Sequence, residues 1–248
     1  MESVFPLERI DRPLPSFMFY NLVEACREPG CPVCRLEQKS VERYLDSRFY
    51  ENVNSPAWRD QLRASLGFCH EHAWLGVNQR LGDALGYSII YRDIVNSILH
   101  RMDDPRPAPR RTGWRGQMSE TVRDQIERLR GALTPRKRCP ACEHRAETTH
   151  YLLSALVEGL ATPELTQALQ NSEGLCLPHL KETLAAIHQS APYEQLLAIH
   201  REKLERLKSE LAEFIRKNDY QVIQEGFGSE RDAWLRAISL VTGSRKER

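Results

Sequence analysis

The sequence predicts an all-α protein, a helical bundle made of two tandem-duplicated helical repeats that each contain an embedded metal site. Composition is the first reason, because Leu, Ala, Glu, Arg and Gln dominate and the alternation of β-branched residues typical of strands is absent. The second reason is a set of cysteine, histidine, proline and glycine positions that occurs twice along the chain at a nearly constant separation.

Length and charge limit the class of protein. The 248 residues are enough for one large domain or two of ordinary size. A net charge of +1 gives no overall field that would select nucleic acid or an anionic membrane. No apolar stretch approaches the roughly 18–20 residues of a membrane span, and the first residues lack the basic and apolar segments of a secretory signal. These features predict a cytoplasmic protein without a membrane partner.

The N-terminal repeat, residues 1–102, is predicted to open with two helices. A short amphipathic helix over residues 17–27 ends before Glu28-Pro29-Gly30, because proline and glycine stop helices. The motif Cys31-Pro32-Val33-Cys34 then begins a second helix that extends to about residue 52, with apolar residues roughly on one face.

Three further helices are predicted in this repeat. Ser55-Pro56 starts one of them, because serine is a good N-cap and proline is favoured at the first helical position. That helix ends at Gly67, and Cys69 begins the next. A long helix over about residues 77–101 follows, with apolar residues at alternating spacings of three and four.

A Pro/Arg-rich linker over residues 103–116 is predicted to separate the repeats. Its three prolines each remove a backbone donor and disfavour helix at the preceding residue. The C-terminal repeat, residues 117–248, then restates the pattern. A helix begins at Cys139-Pro140-Ala141-Cys142, Thr162-Pro163 starts another, and a long helix over about 192–220 has the apolar spacing of a coiled-coil seam.

The nearly constant separation between matching residues of the two halves is the reason for predicting a duplication. Cys31 and Cys34 stand 108 residues before Cys139 and Cys142. The Ser/Thr-Pro starts, the glycines and the two Cys-x-x-His motifs stand 107 residues apart, so one single-residue deletion explains the register. The same register selects His72 over His70 as the repeated histidine, because residue 177 is leucine.

Cysteine and histidine at these spacings predict two zinc sites. Zinc prefers four tetrahedral ligands, and three thiolates with one imidazole is a common structural set. In a reducing compartment, such motifs are more often metal ligands than disulfides. We expect one site in each half, although each Cys-x-x-Cys could instead meet the Cys-x-x-His of the other half. The two expected ligand sets are Cys31, Cys34, Cys69 and His72, and Cys139, Cys142, Cys176 and His179.

Two other chemistries fit some of the same residues. Cys26, Cys31, Cys34 and Cys69 have the C-x4-C-x2-C…C spacing of a plant-type iron–sulfur site. The second half has Thr134 where Cys26 would map, so the repeat does not use Cys26. Dithiol redox chemistry is the other alternative, since a Cys-Pro-x-Cys motif at a helix start lowers a thiol pKa.

The function predicted from these residues is a metal-binding helical protein in which zinc is mainly structural. Four protein ligands leave no open position for water, which argues against a catalytic zinc and therefore against an enzyme. A protein partner or a homo-oligomer is expected through the long helices. Nucleic-acid binding through the Pro/Arg linker and Arg136–Arg138 is a weaker alternative.

Two strings also resemble those of a known family. Gly30–Glu37, with its Cys-Pro-x-Cys, and Gly67–Trp74, with its Gly-x-Cys-x-x-His, are similar to strings in an uncharacterised bacterial family of about this length. That family carries a domain-of-unknown-function label and has the motifs in the same order. The resemblance implies a bacterial, cytoplasmic protein and brings no activity or substrate.

Overall fold

The computed structural model of the chain describes residues 16–103, 122–220 and 223–244, and within these ranges every regular element is helical. Short 3₁₀ turns occur at Ile223–Glu225 and Ser229–Asp232. The first five α-helices are α1 Ser16–Ala25, α2 Pro32–Glu51, α3 Pro56–Ser65, α4 His70–Asn78 and α5 Ala84–Asp103. The remaining six are α6 Val122–Ala132, α7 Pro140–Gly159, α8 Pro163–Asn171, α9 Leu177–Ala186, α10 Ser190–Lys217 and α11 Ala233–Thr242.

These described residues divide into two compact units that differ from the sequence halves. The first unit takes residues from Met1–Ser40 and Arg145–Glu247, and the second takes Val41–His144. The boundaries fall inside α2 and α7, so each unit receives part of both helices. Each unit therefore draws on both halves of the sequence.

Leucine side chains form the core of the first unit. Helix α1 packs on α8, and α11 packs on α9 and α10. The fully buried side chains include Leu22 of α1, Leu153 and Leu156 of α7, and Leu165 of α8. Burying a leucine contributes about 1.5–3 kcal/mol, so this layer is a main source of stability for the unit.

Aromatic side chains fill much of the second unit. Phe49 of α2 contacts three other rings, with centroid distances of 4.1 Å to Tyr87 and 5.8 Å to both Trp58 and Phe68. Helix α5 packs on α3 and α6, and its Ile90 and Ile94 are buried in the same cluster. Aromatic pairs at such distances add about 0.5–1.5 kcal/mol beyond the area that they bury.

The all-helical prediction is confirmed, and one predicted helix is wrong in its start. The helix predicted from about residue 77 begins at Ala84, because α4 continues to Asn78 and the chain then turns through two left-handed residues. Arg80 has φ 54° and Gly82 has φ 79°. A β-carbon on Gly82 would lie 2.6 Å from Cβ of Phe49, so glycine is required at this turn.

Most of the predicted linker, from residue 104 to residue 116, lies outside the described residues. The division into repeats at 1–102 and 117–248 stays a prediction, although α5 ends at Asp103, close to the first boundary. None of the described helices combines the length and the apolar composition needed to cross a membrane.

Candidate metal centres

Each Cys-x-x-Cys motif lies at the start of a 20-residue helix. Cys31 immediately precedes α2 and Cys139 immediately precedes α7, and in both helices the first residue is the proline of the motif. Proline is tolerated at this position because its missing N–H would have no partner inside the helix. The second cysteine follows in the first turn, where residues i and i+3 share a face. Both thiols of a motif therefore point to one place.

Each Cys-x-x-His motif also begins a helix, and the two have nearly the same backbone geometry. Cys69 caps α4 with φ −65° and ψ 166°, and Cys176 caps α9 with φ −67° and ψ 159°. Two residues earlier, Gly67 has φ 93° and Gly174 has φ 82°. Glycine adopts this left-handed conformation without strain, so it allows the sharp turn that presents the cysteine.

Site one is formed by Cys31, Cys34, Cys176 and His179, all in the first unit. Nδ1 of His179 lies 3.5 Å from Sγ of Cys31, 3.4 Å from Sγ of Cys34 and 3.1 Å from Sγ of Cys176. The Sγ atoms of Cys34 and Cys176 are 3.7 Å apart. Cys31, Cys176 and the imidazole are buried, and Cys34 is partly exposed.

Site two is formed by Cys69, His72, Cys139 and Cys142, all in the second unit. Nδ1 of His72 lies 3.2 Å from Sγ of Cys69, 3.7 Å from Sγ of Cys139 and 3.3 Å from Sγ of Cys142. The Sγ atoms of Cys69 and Cys142 are 3.6 Å apart. His72 and Cys139 are buried, and Cys69 and Cys142 are partly exposed.

The expected grouping of the ligands within each half is wrong. The structure places each Cys-x-x-Cys beside the Cys-x-x-His of the other half, the exchanged arrangement that the sequence left open. The 20-residue helix α2, about 30 Å long, stands between Cys34 and Cys69 in the chain, and the boundary between the two units falls inside it. The two motifs of this half therefore contribute to different sites.

A partly buried carboxylate holds the histidine of site one. Nε2 of His179 lies 3.1 Å from Oε1 of Glu37, a residue on the first turns of α2. The hydroxyl of Thr149 donates to the same carboxylate oxygen. With Nε2–H donated to Glu37, a neutral His179 would present its Nδ1 lone pair to a metal ion held among the three sulfurs.

Ser244 adds contacts on the other side of site one. Its hydroxyl accepts a hydrogen bond of 3.0 Å from the backbone N–H of Cys31, and its own N–H lies 3.5 Å from Sγ of Cys34. In site two, a carboxylate oxygen of the adjacent Glu71 lies 3.7 Å from Nε2 of His72, beyond hydrogen-bond distance.

Proton sharing shifts the pKa values in site one. Hydrogen bonds from Cys176 and Cys31 hold the pKa of Cys34 far below its usual range. Hydrogen bonds with Cys176 and Cys34, together with burial, raise the pKa of Cys31 well above its usual range. Burial lowers the pKa of His179, but hydrogen bonds to Cys31, Cys34 and Glu37 raise it to about 12. Without a metal ion, the four side chains of site one therefore stabilise the Cys34 thiolate by hydrogen bonds.

Site two shows the same division between its thiols. The hydrogen bond from Cys142 lowers the pKa of Cys139 to about 3. Burial acts in the opposite direction, and a hydrogen bond with His72 lowers this pKa further. The hydrogen bond with Cys139 and burial raise the pKa of Cys142 above its usual range. A buried cation would take the place of these protons and favour the thiolate form of every cysteine.

The geometry suits one metal ion in each group. A tetrahedral zinc with ordinary bond lengths has S···S edges of about 3.8 Å and S···N edges of about 3.5 Å. The distances in both groups, from 3.1 to 3.7 Å, fall close to these values. All seven cysteines lie in the described ranges and are free thiols.

The cysteines of the iron–sulfur alternative are not brought together. Cys31 and Cys34 belong to site one and Cys69 to site two, while Cys26 lies in the apolar core of the first unit. Burial raises the pKa of the Cys26 thiol to about 11, with a smaller opposing effect from Ser172. His70, the alternative to His72, is exposed and its ring lies 6.4 Å from that of Trp74.

Two residues of α10 that support site one were not identified as such from the sequence. Nε2 of His200 accepts a hydrogen bond of 2.9 Å from the N–H of Leu175, and its Nδ1–H donates to the carbonyl of Leu196. Lys203 donates to the carbonyls of Gln170 and Ser172 at the end of α8. The signal in the sequence is that His200 falls within the apolar seam predicted for this long helix.

A family model described as a family of unknown function (DUF6062) matches residues 21–248, so the chain belongs to that family. A protein of Caldicellulosiruptor sp. (strain Rt8B.4), named as an uncharacterised 23.9 kDa protein in the xynA 3′ region, is 25% identical over 225 residues. The match covers 90% of this chain and all of that protein. No solved structure matches the chain.

Proposed function

We propose that this protein binds two zinc ions, one in site one and one in site two, and that both ions are structural. The observation that carries the proposal is the arrangement of three sulfurs around a histidine Nδ1 at 3.1–3.7 Å, found independently in both groups. Three thiolates and one imidazole form a common closed set for structural zinc, and no fifth protein ligand is needed.

The zinc ions hold together helix starts that are distant in sequence. Site one joins the start of α2 to the start of α9, and site two joins the start of α4 to the start of α7. Structural zinc binding supplies about 10–16 kcal/mol in small finger peptides, of the order of the whole stability of a domain. Each ion therefore supports the unit that contains it.

The tandem duplication is part of the proposal, and the order of elements supports it. Helices α2 and α7 have 20 residues each, α3 and α8 have 10 and 9, and α4 and α9 have 9 and 10. Ser55-Pro56 and Thr162-Pro163 stand at the start of α3 and α8. Helix α11 follows the second series and has no counterpart among the helices that the structure describes in the first.

Metal analysis with an absorption spectrum tests the zinc assignment. We expect colourless protein with about two zinc ions per chain, since each group has one complete ligand set. Cobalt substitution should give the intense visible bands of tetrahedral sulfur-rich sites. Brown protein with iron and labile sulfide after anaerobic purification would instead support an iron–sulfur protein and overturn the zinc proposal.

A protein-interaction or adaptor role is proposed for the long helix α10. Tyr193, Leu197 and Leu204 are each 44–47% exposed, while Leu196, Ile199 and Leu207 are buried. Exposed apolar residues at such spacing suit association with a second helix. Light scattering of the purified protein tests self-association, and Leu197→Glu with Leu204→Glu should abolish any oligomer. A protein that remains monomeric and an unchanged set of captured proteins would contradict this role.

Nucleic-acid binding remains a second candidate because of one basic run. Arg136, Lys137 and Arg138 are exposed directly before Cys139, and none has an ion-pair partner within the described part of the chain. Such a run neutralises phosphates, so binding would weaken steeply with salt. Mobility shift of duplex RNA and DNA at low salt tests it, with Arg136→Glu and Arg138→Glu as the variants. No shift at low salt would remove this candidate.

A further inference from the structure

The two sites differ in the groups that surround their ligands. In site one, the carboxylate of Glu37 lies 3.1 Å from Nε2 of His179 and itself accepts a hydrogen bond from Thr149. In site two, the carboxylate of Glu71 is 3.7 Å from Nε2 of His72. The position that corresponds to Glu37 in the duplication, 108 residues later, is Arg145, so the second motif lacks this carboxylate in its sequence.

A carboxylate in this position strengthens metal binding by two effects. It fixes the ring orientation and the tautomer that exposes Nδ1, and it makes the imidazole a better donor. Removal of such a partner typically costs 10–100-fold in metal affinity. The carboxylate of Glu37 should therefore strengthen zinc binding at site one. In site two, the Glu71 carboxylate lies too far from His72 to do the same.

Solvent access also differs between the two sites, and site two is the more accessible one. Ser244, just after α11, contacts both cysteines of the first motif of site one through the Cys31 N–H and the Cys34 sulfur. A β-carbon on Gly243 would lie 3.7 Å from Sγ of Cys34, so the end of α11 is packed against that sulfur. In site two, two cysteine residues rather than one are partly exposed. A chelator or an alkylating reagent thus has more direct access to site two.

From these observations we infer that the two centres are unequal: site one retains its zinc, and site two exchanges zinc with chelating ligands in solution. Glu37 is the positioning residue that makes the difference, since it acts through His179. This inference rests on the proposed function, because it assigns different roles to two sites that both bind zinc.

Chelator challenge with site-resolved alkylation tests the inference on the intact protein. Protein loaded with two zinc ions is mixed with EDTA and N-ethylmaleimide, and the labelled cysteines are followed by peptide mass spectrometry. We expect Cys69, Cys139 and Cys142 to be labelled 10–100-fold faster than Cys31, Cys34 and Cys176. Equal rates, or faster labelling of site one, would overturn the inference, whatever the behaviour of any variant.

Variants assign the difference to Glu37. Glu37→Ala should accelerate labelling of site one by 10–100-fold, and Glu37→Gln should retain part of the protection because its amide oxygen still accepts from Nε2–H. Glu71→Ala is the matched control and should change neither rate more than about twofold. Unchanged labelling of site one in both Glu37 variants, with native helix content, would contradict the role of Glu37. A protein that binds no zinc contradicts the proposed function itself.

Discussion

Cys26 and Cys176 are both buried thiols in the first unit, and only one of them belongs to a metal site. We expect Cys176→Ser to reduce the zinc content from two ions per chain to one, because serine is a poor ligand for zinc. Cys26→Ser should retain both ions. Metal content per folded chain, measured after desalting, distinguishes the two variants. Loss of zinc from the Cys26 variant would show that Cys26 is a ligand.

His200 lies buried between two backbone partners, and this environment predicts a pH effect. Burial lowers its pKa, so the folded state holds the neutral ring while the unfolded chain protonates near the ordinary value. The stability from this residue is therefore complete above the unfolded pKa and declines as pH falls below it.

We expect His200→Gln to lower the free energy of unfolding by about 1–3 kcal/mol near pH 7, since it disrupts buried hydrogen bonds to Leu175 and Leu196. The difference from wild type should narrow toward pH 5, where wild type loses its own contribution. Denaturant unfolding of the zinc-loaded wild type and variant at several pH values measures this difference in the free energy of unfolding. A difference that widened on acidification would contradict this account.

At the scale of the element, the turn between α8 and α9 is fixed by hydrogen bonds from two residues of α10 and by the conformation of one glycine. Lys203 binds the carbonyls that end α8, His200 binds Leu175, and Gly174 adopts the left-handed conformation between them. A β-carbon on Gly174 would lie 2.8 Å from Cδ of Lys203. Long helix α10 thus positions the turn that presents Cys176.

Gly174→Ala should therefore destabilise the protein by about 1–3 kcal/mol, through backbone strain and the contact with Lys203. Gly131→Ala is the control, because Gly131 lies inside α6 and a β-carbon there meets nothing within 4 Å. Alanine at that position should be neutral or stabilise by up to about 1 kcal/mol. Thermal unfolding compares the two variants, and equal effects would contradict the role of the turn.

The sequence predicted the helix starts that depend on neighbouring residues. It did not predict features that depend on contacts between residues distant in the chain. Proline and glycine signals placed the starts of α2, α3, α7 and α8, because these residues restrict the backbone directly. The turn at Gly82 was missed although the glycine is a local signal, since the close approach of Phe49, more than thirty residues earlier, is what excludes any other residue there. Glu37 was missed as a partner of His179 for the same reason, although it follows Cys34 by only three residues.

At the scale of the molecule, the exchanged ligand sets make each unit depend on both halves of the chain. The first core contains Leu22 and Val33 from one half and Leu153, Leu165 and Leu196 from the other. The second core contains Cys139 and Ala141 with residues of α2, α3 and α5. The spacing of the motifs could not reveal this exchange, because two equivalent motifs fit either partner equally well.

This architecture predicts the behaviour of a chain cut within the predicted linker, residues 103–116. Two co-expressed fragments, 1–106 and 112–248, should copurify through a tag on either one, because both cores and both metal sites of the described residues use side chains from both fragments. Chelation should weaken the complex, since it removes the ligand bonds that join the fragments and leaves the apolar contacts and the hydrogen bonds between them. Affinity purification and native mass spectrometry, with and without EDTA, measure both effects. Fragments that purify separately, each folded and each with one zinc ion, would instead require the ligand sets to lie within the halves.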